Sequence, residues 1–152
     1  MNPFALARVL APFVVLAAIT ACCSPPKSEE VAFTPVLEGP VCAQSTPTQF
    51  VARSQEEWLS RWSGPSLTVG EKARTPDIDW KSQMLVCVAL GTRPSGGYAV
   101  HIESIERAGA ALVVHAREEK PPPGSIQTRM LTTPFSCVAT ARFEGEVRFD
   151  VR

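Results

Sequence analysis

The order of apolar and polar residues along the last two thirds of the chain predicts strands. Residues 84–90 form one continuous apolar run between polar residues and Gly91, a pattern typical of a buried strand. Two later segments alternate, with apolar or aromatic residues at Tyr98, Val100 and Ile102, and at Leu112, Val114 and Ala116. These two segments predict a hairpin that turns at residues 107–109.

Three more strands are predicted at residues 126–131, 135–142 and 147–151, the last two joined at Glu144 and Gly145. The proline-rich residues 120–124 predict a stiff polyproline connection between strands. The expected fold is therefore mainly β, a small antiparallel sheet or β-sandwich with one short helix near its N-terminal end.

That helix is predicted from a capping box. Ser54 is followed three residues later by Glu57, so each side chain can bond the other residue's backbone N–H. Trp58, Leu59 and Trp62 are predicted to share one helical face. The helix should end before the Gly-Pro pair at residues 64–65, since proline cannot continue it.

The first 21 residues have the layout of a signal peptide. One basic residue, Arg8, precedes an apolar run at residues 9–19 that is broken only by Pro12, and the small residues Thr20 and Ala21 follow. As a helix this run would be about 16 Å long, against roughly 30 Å for a bilayer core. It is therefore too short to span as a permanent anchor.

Residues 19–22 resemble the bacterial lipobox. That resemblance implies cleavage before Cys22, a diacylglycerol on its thiol, and lipid anchoring of the mature chain. The alternative is ordinary signal cleavage, which would leave Cys22 and Cys23 as adjacent thiols. Cys23 is not the aspartate associated with inner-membrane retention, so we expect a bacterial cell-envelope lipoprotein, with the outer membrane favoured.

Removal of a leader would leave 131 of the 152 residues, enough for a single domain. Prolines and charges near residues 24–30 predict a flexible tether over residues 22–40, followed by one domain over residues 41–152. Lys and Arg total 15, as do Asp and Glu, without a basic stripe. This balance argues against nucleic acid as a partner.

Three cysteines remain in the predicted domain: Cys42, Cys87 and Cys137. Export to an oxidising compartment predicts one disulfide and one leftover thiol, with the connectivity left open. The alternative is three buried free thiols, because cysteine packs well as a small hydrophobe. The sequence contains no C-x-x-C, which argues against zinc and thioredoxin chemistry.

Residues that could carry other chemistry are sparse. His101 and His115 would lie across the predicted hairpin from one another, but two histidines are too few for a zinc site, so we expect a solvated contact and no metal or cofactor. Asp77 and Asp79 are expected to cap a loop. The hydrolase motifs G-x-S-x-G and H-E-x-x-H and the phosphate loop do not occur, so the sequence gives no support for an enzyme.

The segment between two predicted strands, residues 91–98, must form a shaped turn. Proline fixes one φ angle and two glycines permit positive φ. A rigid turn loses little entropy on binding, so we predict that it faces a partner. The predicted partner-binding loop comprises Arg93, Pro94, Ser95, Gly96, Gly97 and Tyr98. The competing interpretation is a purely structural turn, with Tyr98 packed beneath it.

Residues 55–151 resemble the C-terminal domain of the protease complex subunit PrcB family. The resemblance rests on a Glu-Glu-Trp helix at 56–58, Asp79 with Trp80, the 91–98 loop, Gln127, and Thr-Pro-Phe at 133–135. Ser95 replaces a threonine usual in the family, and the Thr-Pro-Phe lacks the usual intervening residue. The family is named after a lipoprotein accessory subunit of a bacterial surface protease complex, which implies a non-catalytic role in assembling or stabilising a protease.

The loop alone also resembles the Asn-Pro-Thr-Thr-Gly-Tyr loop of chagasin-type cysteine-protease inhibitors, which are β domains as well. Arg93 stands where those inhibitors have asparagine, and the sequence has no counterpart of their Arg-Pro-Trp motif. A chagasin-like protease inhibitor is therefore the alternative function.

Overall fold

The computed structural model describes residues 28–62 and 76–152. In these ranges eight strands and one helix follow one another along the chain. They are β1 (Glu29–Glu30), β2 (Phe33–Gly39), β3 (Thr48–Ala52), α1 (Gln55–Arg61), β4 (Gln83–Ala89), β5 (Ala99–Ala108), β6 (Ala111–Glu119), β7 (Phe135–Ala141) and β8 (Glu146–Val151).

The strands form two four-stranded sheets. Sheet A has the order β1-β5-β6-β8 and sheet B the order β2-β7-β4-β3. All neighbours are antiparallel except β6 and β8, which are parallel. The predicted mainly β fold is confirmed. The connection at Glu144 and Gly145 carries the chain from sheet B to sheet A, so it is not a turn between paired strands.

Strand β4 is buried on both faces. Its residues Met84, Val86 and Val88 join a core with the inner face of sheet A. The alternate residues Leu85 and Cys87 join a second core that includes Trp58 of the helix. A strand covered on both sides cannot alternate with polar residues, which explains the unbroken apolar run in the sequence.

Half of the capping box predicted at the start of α1 is formed. Ser54 Oγ accepts a hydrogen bond from the Glu57 N–H at 3.1 Å, while the Glu57 carboxylate accepts from the Arg53 N–H at 2.7 Å, one residue earlier than expected. Trp58 is buried and stacks on Trp62 with ring centroids 4.8 Å apart. Leu59 is 55% exposed, so the prediction that it shares the buried helical face with Trp58 is wrong. The residues after Trp62 predicted to end the helix lie outside the described residues.

The predicted hairpin exists, with its turn shifted towards the C-terminus. Ala108 pairs with Ala111, and Gly109 in the turn has a φ of 63°, which suits glycine. A register irregularity between Ile102 and Ser104 adds one residue to β5. His101 therefore pairs with Arg117 and His115 with Ser104. The prediction that the two imidazoles lie opposite each other is wrong, since alternation alone does not reveal a bulge.

Two predicted segments differ from the structure. Residues 126–131 are not a strand, and the nearest pairing is an isolated bridge between Thr132 and Arg93. The predicted tether overlaps β1 and β2, so that prediction does not hold for residues 29–39. There Phe33 pairs with Thr140, and Gly39 pairs with Phe135 of the central strand β7. Residues 1–27, including the predicted leader and Cys22, lie outside the described residues.

A disulfide joins Cys87 of β4 to Cys137 of β7, which are register partners with Cα atoms 4.2 Å apart. The expected single bridge with one leftover cysteine is thus present. Cys42 is the buried free cysteine. Burial raises the pKa of its thiol, although hydrogen bonds from Gln44 and Thr133 act the other way. A buried protonated thiol is a poor nucleophile, so Cys42 acts as a core residue.

Within the described residues, no helix is long and apolar enough to cross a bilayer.

Candidate functional site

The 93–98 loop lies between β4 and β5 and is fixed to the segment that precedes β7. Arg93 and Thr132 exchange two backbone hydrogen bonds, of 2.7 and 3.0 Å. The Gly96 N–H donates to the Thr128 carbonyl at 3.0 Å, and the Thr132 hydroxyl donates to the Ser95 carbonyl at 2.8 Å. These bonds hold two long loops together as one surface.

Glycine is required at the tip of this loop. Gly97 has a φ of 82°, and an added Cβ would lie 2.5 Å from Gln127 Oε1 and 2.9 Å from Pro121 Cβ. A larger residue would be strained and would also push the two loops apart. Gly97 and Pro94 are both exposed, so the fixed backbone at the tip faces solvent. This geometry agrees with the shaped turn expected from the sequence.

The Arg93 side chain faces the protein, and most of its donors are already bonded there. Its guanidinium donates to the two carboxylate oxygens of Glu118 at 3.0 and 3.2 Å and to the Leu90 carbonyl at 2.8 Å. The side chains of Arg93 and Glu118 are only 22% and 18% exposed. Arg93 thus ties the loop to sheet A, and this bonding does not favour the prediction that it contacts a partner directly.

We expect Arg93→Ala to lower the free energy of unfolding by about 1–3 kcal/mol, because it removes charge-assisted hydrogen bonds and leaves Glu118 partly buried and unpaired. Chemical denaturation measures this change. A matched control is Arg117→Ala, whose partner Glu103 and own side chain are about half exposed. Exposed pairs contribute less than about 1 kcal/mol. Equal losses for the two variants would contradict the structural role of Arg93.

Tyr98 lies at the other end of the loop, where it is half-buried. It lines a cleft of roughly 240 Å³ together with Pro40, Val100 and Phe135. The tyrosine is therefore neither packed fully beneath the loop nor free at its tip. Tyr98 therefore contributes to a cleft at this end of the loop.

The structure reveals an apolar patch that the sequence reasoning missed. Ile126 is fully exposed, and Met130 and Leu131 are 60% and 67% exposed. All three lie on the segment predicted as a strand, which runs beside the 93–98 loop. One signal was available, since apolar residues at positions 126, 130 and 131 do not alternate as a half-buried strand requires.

Ile126 of the patch and Ser95 of the loop border a common depression. It has a volume of roughly 520 Å³ and is lined by Ser95 of the loop, Pro121, Ile126 and Arg129, among others. Large exposed apolar side chains next to a proline-stiffened wall and a basic residue are typical of a protein-binding surface. We call residues 93–98 and 121–131 together the loop surface.

The two histidines do not join this surface or each other. His101 Nε2 lies 3.2 Å from Glu119 Oε2, and His115 Nδ1 lies 3.1 Å from Asp150 Oδ2. Both contacts are partly solvated. Among the described residues, no three His, Cys, Asp or Glu side chains are grouped so that they could hold a metal ion.

Register places Ser104, His115 and Asp150 in one row across β5, β6 and β8. These are the residue types of a hydrolytic triad, but the described hydrogen bonds do not connect Ser104 to His115. Asp150 also accepts hydrogen bonds from Arg152 at 2.6 and 3.0 Å. The bonding to Arg152 is the largest cause of the lowered pKa of Asp150, and the hydrogen bond to His115 is the next largest. The row contains no activated nucleophile in this geometry.

The remaining acidic candidates are Asp77 and Asp79, and Asp79 caps its loop by hydrogen bonding. Asp79 accepts hydrogen bonds from the Lys81 N–H at 3.0 Å and the Ser82 hydroxyl at 2.8 Å, and the second of these is the larger cause of its lowered pKa. This is the loop-capping role expected from the sequence. Asp77 is exposed.

Part of the chain matches a known protein family. Residues 84–141 match the family model described as PrcB C-terminal. No curated protein and no solved structure matches the chain. The matched range begins with β4, contains β5, β6 and both parts of the loop surface, and ends with β7. The resemblance found in the sequence is thereby confirmed over residues 84–141.

Proposed function

We propose that this chain is an exported, lipid-anchored protein of the bacterial cell envelope that acts as a non-catalytic interaction module, assembling or stabilising a surface protease complex. The family match supports an association with a protease complex. The lipobox-like residues ending at Cys22 support the anchor, and Cys23 favours the outer membrane. The loop surface is where the partner protein would dock.

One observation carries the docking proposal, the exposed apolar patch of Ile126, Met130 and Leu131. Exposed side chains of this size are favourable to bury, at roughly 25 cal/mol for each Å² removed from water. Backbone hydrogen bonds already hold the segment that carries the patch against the 93–98 loop. Less conformational entropy is therefore lost when this segment binds a partner. Arg129, on the same segment, adds a charge that can orient an acidic partner surface.

We expect the double variant Ile126→Asp with Met130→Asp to lose the partner that co-purifies with the parent chain from detergent-solubilised membranes. Loss of a central apolar anchor costs about 2 kcal/mol or more, or roughly 30-fold in affinity. The melting temperature should be unchanged, because both side chains are exposed.

The matched control is Leu59→Asp, which changes another exposed leucine-sized side chain, on helix α1. It should retain the partner. Retention of the partner by the double variant, or its loss by the Leu59 variant as well, would contradict docking at the patch.

The inhibitor alternative is favoured by one observation, the exposed and fixed tip at Pro94 and Gly97. It predicts that the purified chain inhibits a papain-like protease and that the loop variant Gly97→Val abolishes the inhibition. An accessory module predicts no inhibition of such a protease. This assay separates the two functions.

A further inference from the structure

The loop surface lies in the part of the chain that contains no acidic residue. Asp and Glu are absent from residues 91–102 and from residues 120–142, although the whole chain has 15 of them against 15 Lys and Arg. Both segments of the loop surface, 93–98 and 121–131, lie within these stretches. Every charged residue of the surface is therefore basic.

Arg129 is the cation that this surface offers to a partner. The Arg93 guanidinium is already bonded to Glu118 and to the Leu90 carbonyl, so its charge is satisfied within the chain. Arg129 is exposed, and no residue that the structure describes forms an ion pair with it. Among the residues that line the depression beside Ile126, Arg129 is the one that carries a charge. A carboxylate of another molecule can therefore accept two hydrogen bonds from this guanidinium.

The acidic residues nearest in sequence to the surface do not cancel its charge. Glu118 is bonded to Arg93. Glu119 Oε2 lies 3.2 Å from His101 Nε2 of β5. Lys120 follows them, is exposed, and within the described residues forms no ion pair of its own. Basic side chains therefore dominate the field over the depression.

Apolar and basic groups stand side by side on this surface. Arg129 is followed directly by Met130 and Leu131, and all three are exposed, as is Ile126. A ligand that fits must therefore cover apolar side chains and present a negative charge next to them. A protein segment with apolar residues beside Asp or Glu meets both requirements.

An anionic lipid surface combines the same two chemistries, but the topology of sheet A favours a protein. The described chain enters through Glu29, which pairs with Arg107 near the end of β5, whereas the loop surface adjoins Ala99 at the start of β5. At about 3.3 Å per residue, the strand from Ala99 to Arg107 spans about 26 Å. A lipid on Cys22 would precede Glu29 closely in sequence and so attach to the end of the domain opposite the loop surface.

We propose that the loop surface binds an acidic, apolar segment of the partner protein. The apolar side chains of that segment cover Ile126 and Met130, and one of its carboxylates pairs with Arg129 at the depression. This inference rests on the proposed function and names the chemistry of the partner that docks there. The contact forms at the end of the domain opposite the proposed anchor, so the recognised segment belongs to an exported part of the partner.

The test uses the full chain with an environment-sensitive fluorescent amino acid in place of Met130. Two short capped peptides are titrated against it, one with two leucines flanked by glutamates and one with the same leucines flanked by lysines. The acidic peptide should shift the emission to shorter wavelength and saturate, because it removes water from the reporter. The basic peptide should leave the emission unchanged, since it carries the same charge as Arg129.

Arg129→Glu should weaken binding of the acidic peptide about tenfold at low salt, because like charges then face each other. Raising the salt to roughly 0.5 M should weaken binding by the parent several-fold through screening. The matched control is Arg61→Glu, which reverses the charge of another exposed arginine, on helix α1. This variant should bind the acidic peptide like the parent. Both side chains are exposed, so both variants should keep the melting temperature of the parent.

Three results would overturn the proposal. One is an equal response, or none, to the acidic and basic peptides. Another is equal binding of the acidic peptide by the parent and by Arg129→Glu. The third is an emission shift caused by phosphatidylglycerol vesicles but not by phosphatidylcholine vesicles, since an anionic lipid would then be the occupant. Co-purification with the double patch variant is read separately: if that variant loses the partner while the peptides fail, docking at the patch stands and only the acidic chemistry is wrong.

Discussion

Replacing both Cys87 and Cys137 with alanine is expected to lower the free energy of unfolding by about 4 kcal/mol. The bridge closes a segment with a sequence separation of 50 between β4 and β7. In the chain-entropy description, a loop of that length restricts the unfolded chain by about this amount. Chemical denaturation of the two proteins under non-reducing conditions measures the difference.

Cys42→Ala is the matched control for the disulfide. This substitution also removes a buried sulfur, but Cys42 closes no loop. The loss in the free energy of unfolding should therefore be about 1 kcal/mol. Adding a reductant should destabilise the parent and leave the double variant unchanged. If the parent denatures identically with and without reductant, the bridge does not contribute as described.

Cys22→Ser is expected to move the protein from the detergent phase to the aqueous phase in a phase-separation assay. Without the thiol no lipid can be attached, and the predicted leader is too short to remain as an anchor. Cys23→Ser is the matched control and should stay in the detergent phase. If the Cys22 variant, with its leader cleaved, still partitions with the membrane, the lipid-anchor prediction is wrong.

Local patterns in the sequence predicted the elements that depend on local physics. The bond from the Glu57 N–H to Ser54 Oγ was predictable because both residues lie within one helical turn. The buried strand β4 was predictable because its apolar run is unbroken and short. The hairpin of β5 and β6 was predictable, to within a few residues of its turn, because apolar residues alternate along both strands.

Those local patterns do not show which residues pair when they are distant in the sequence. β2 was assigned to the tether because the prolines and charges at residues 24–30 were taken to continue to residue 40. In the structure β2 pairs with β7, and the Thr140 hydroxyl donates to the Ala32 carbonyl just before it. The bulge between Ile102 and Ser104, which separates the histidines, leaves no mark on an alternating pattern. Both depend on residues distant in sequence.

The candidate site was predicted in part. The sequence indicated a rigid loop at residues 93–98, which the structure contains, because proline and glycine restrict the backbone locally. It assigned Arg93 to the partner, whereas Glu118, 25 residues later, holds that side chain. The patch at Ile126, Met130 and Leu131 was hidden by a strand prediction, since apolar composition does not reveal which side chains are left exposed.

The most direct test of the interaction role is site-specific photocrosslinking in living cells. A photoreactive residue at position 126 or 130 should capture a protein of a cell-surface protease complex, identified by mass spectrometry. The same probe at position 59, which is similarly exposed but lies on helix α1, should capture none. Crosslinks of equal yield from positions 59 and 126, or none from the patch, would contradict the account.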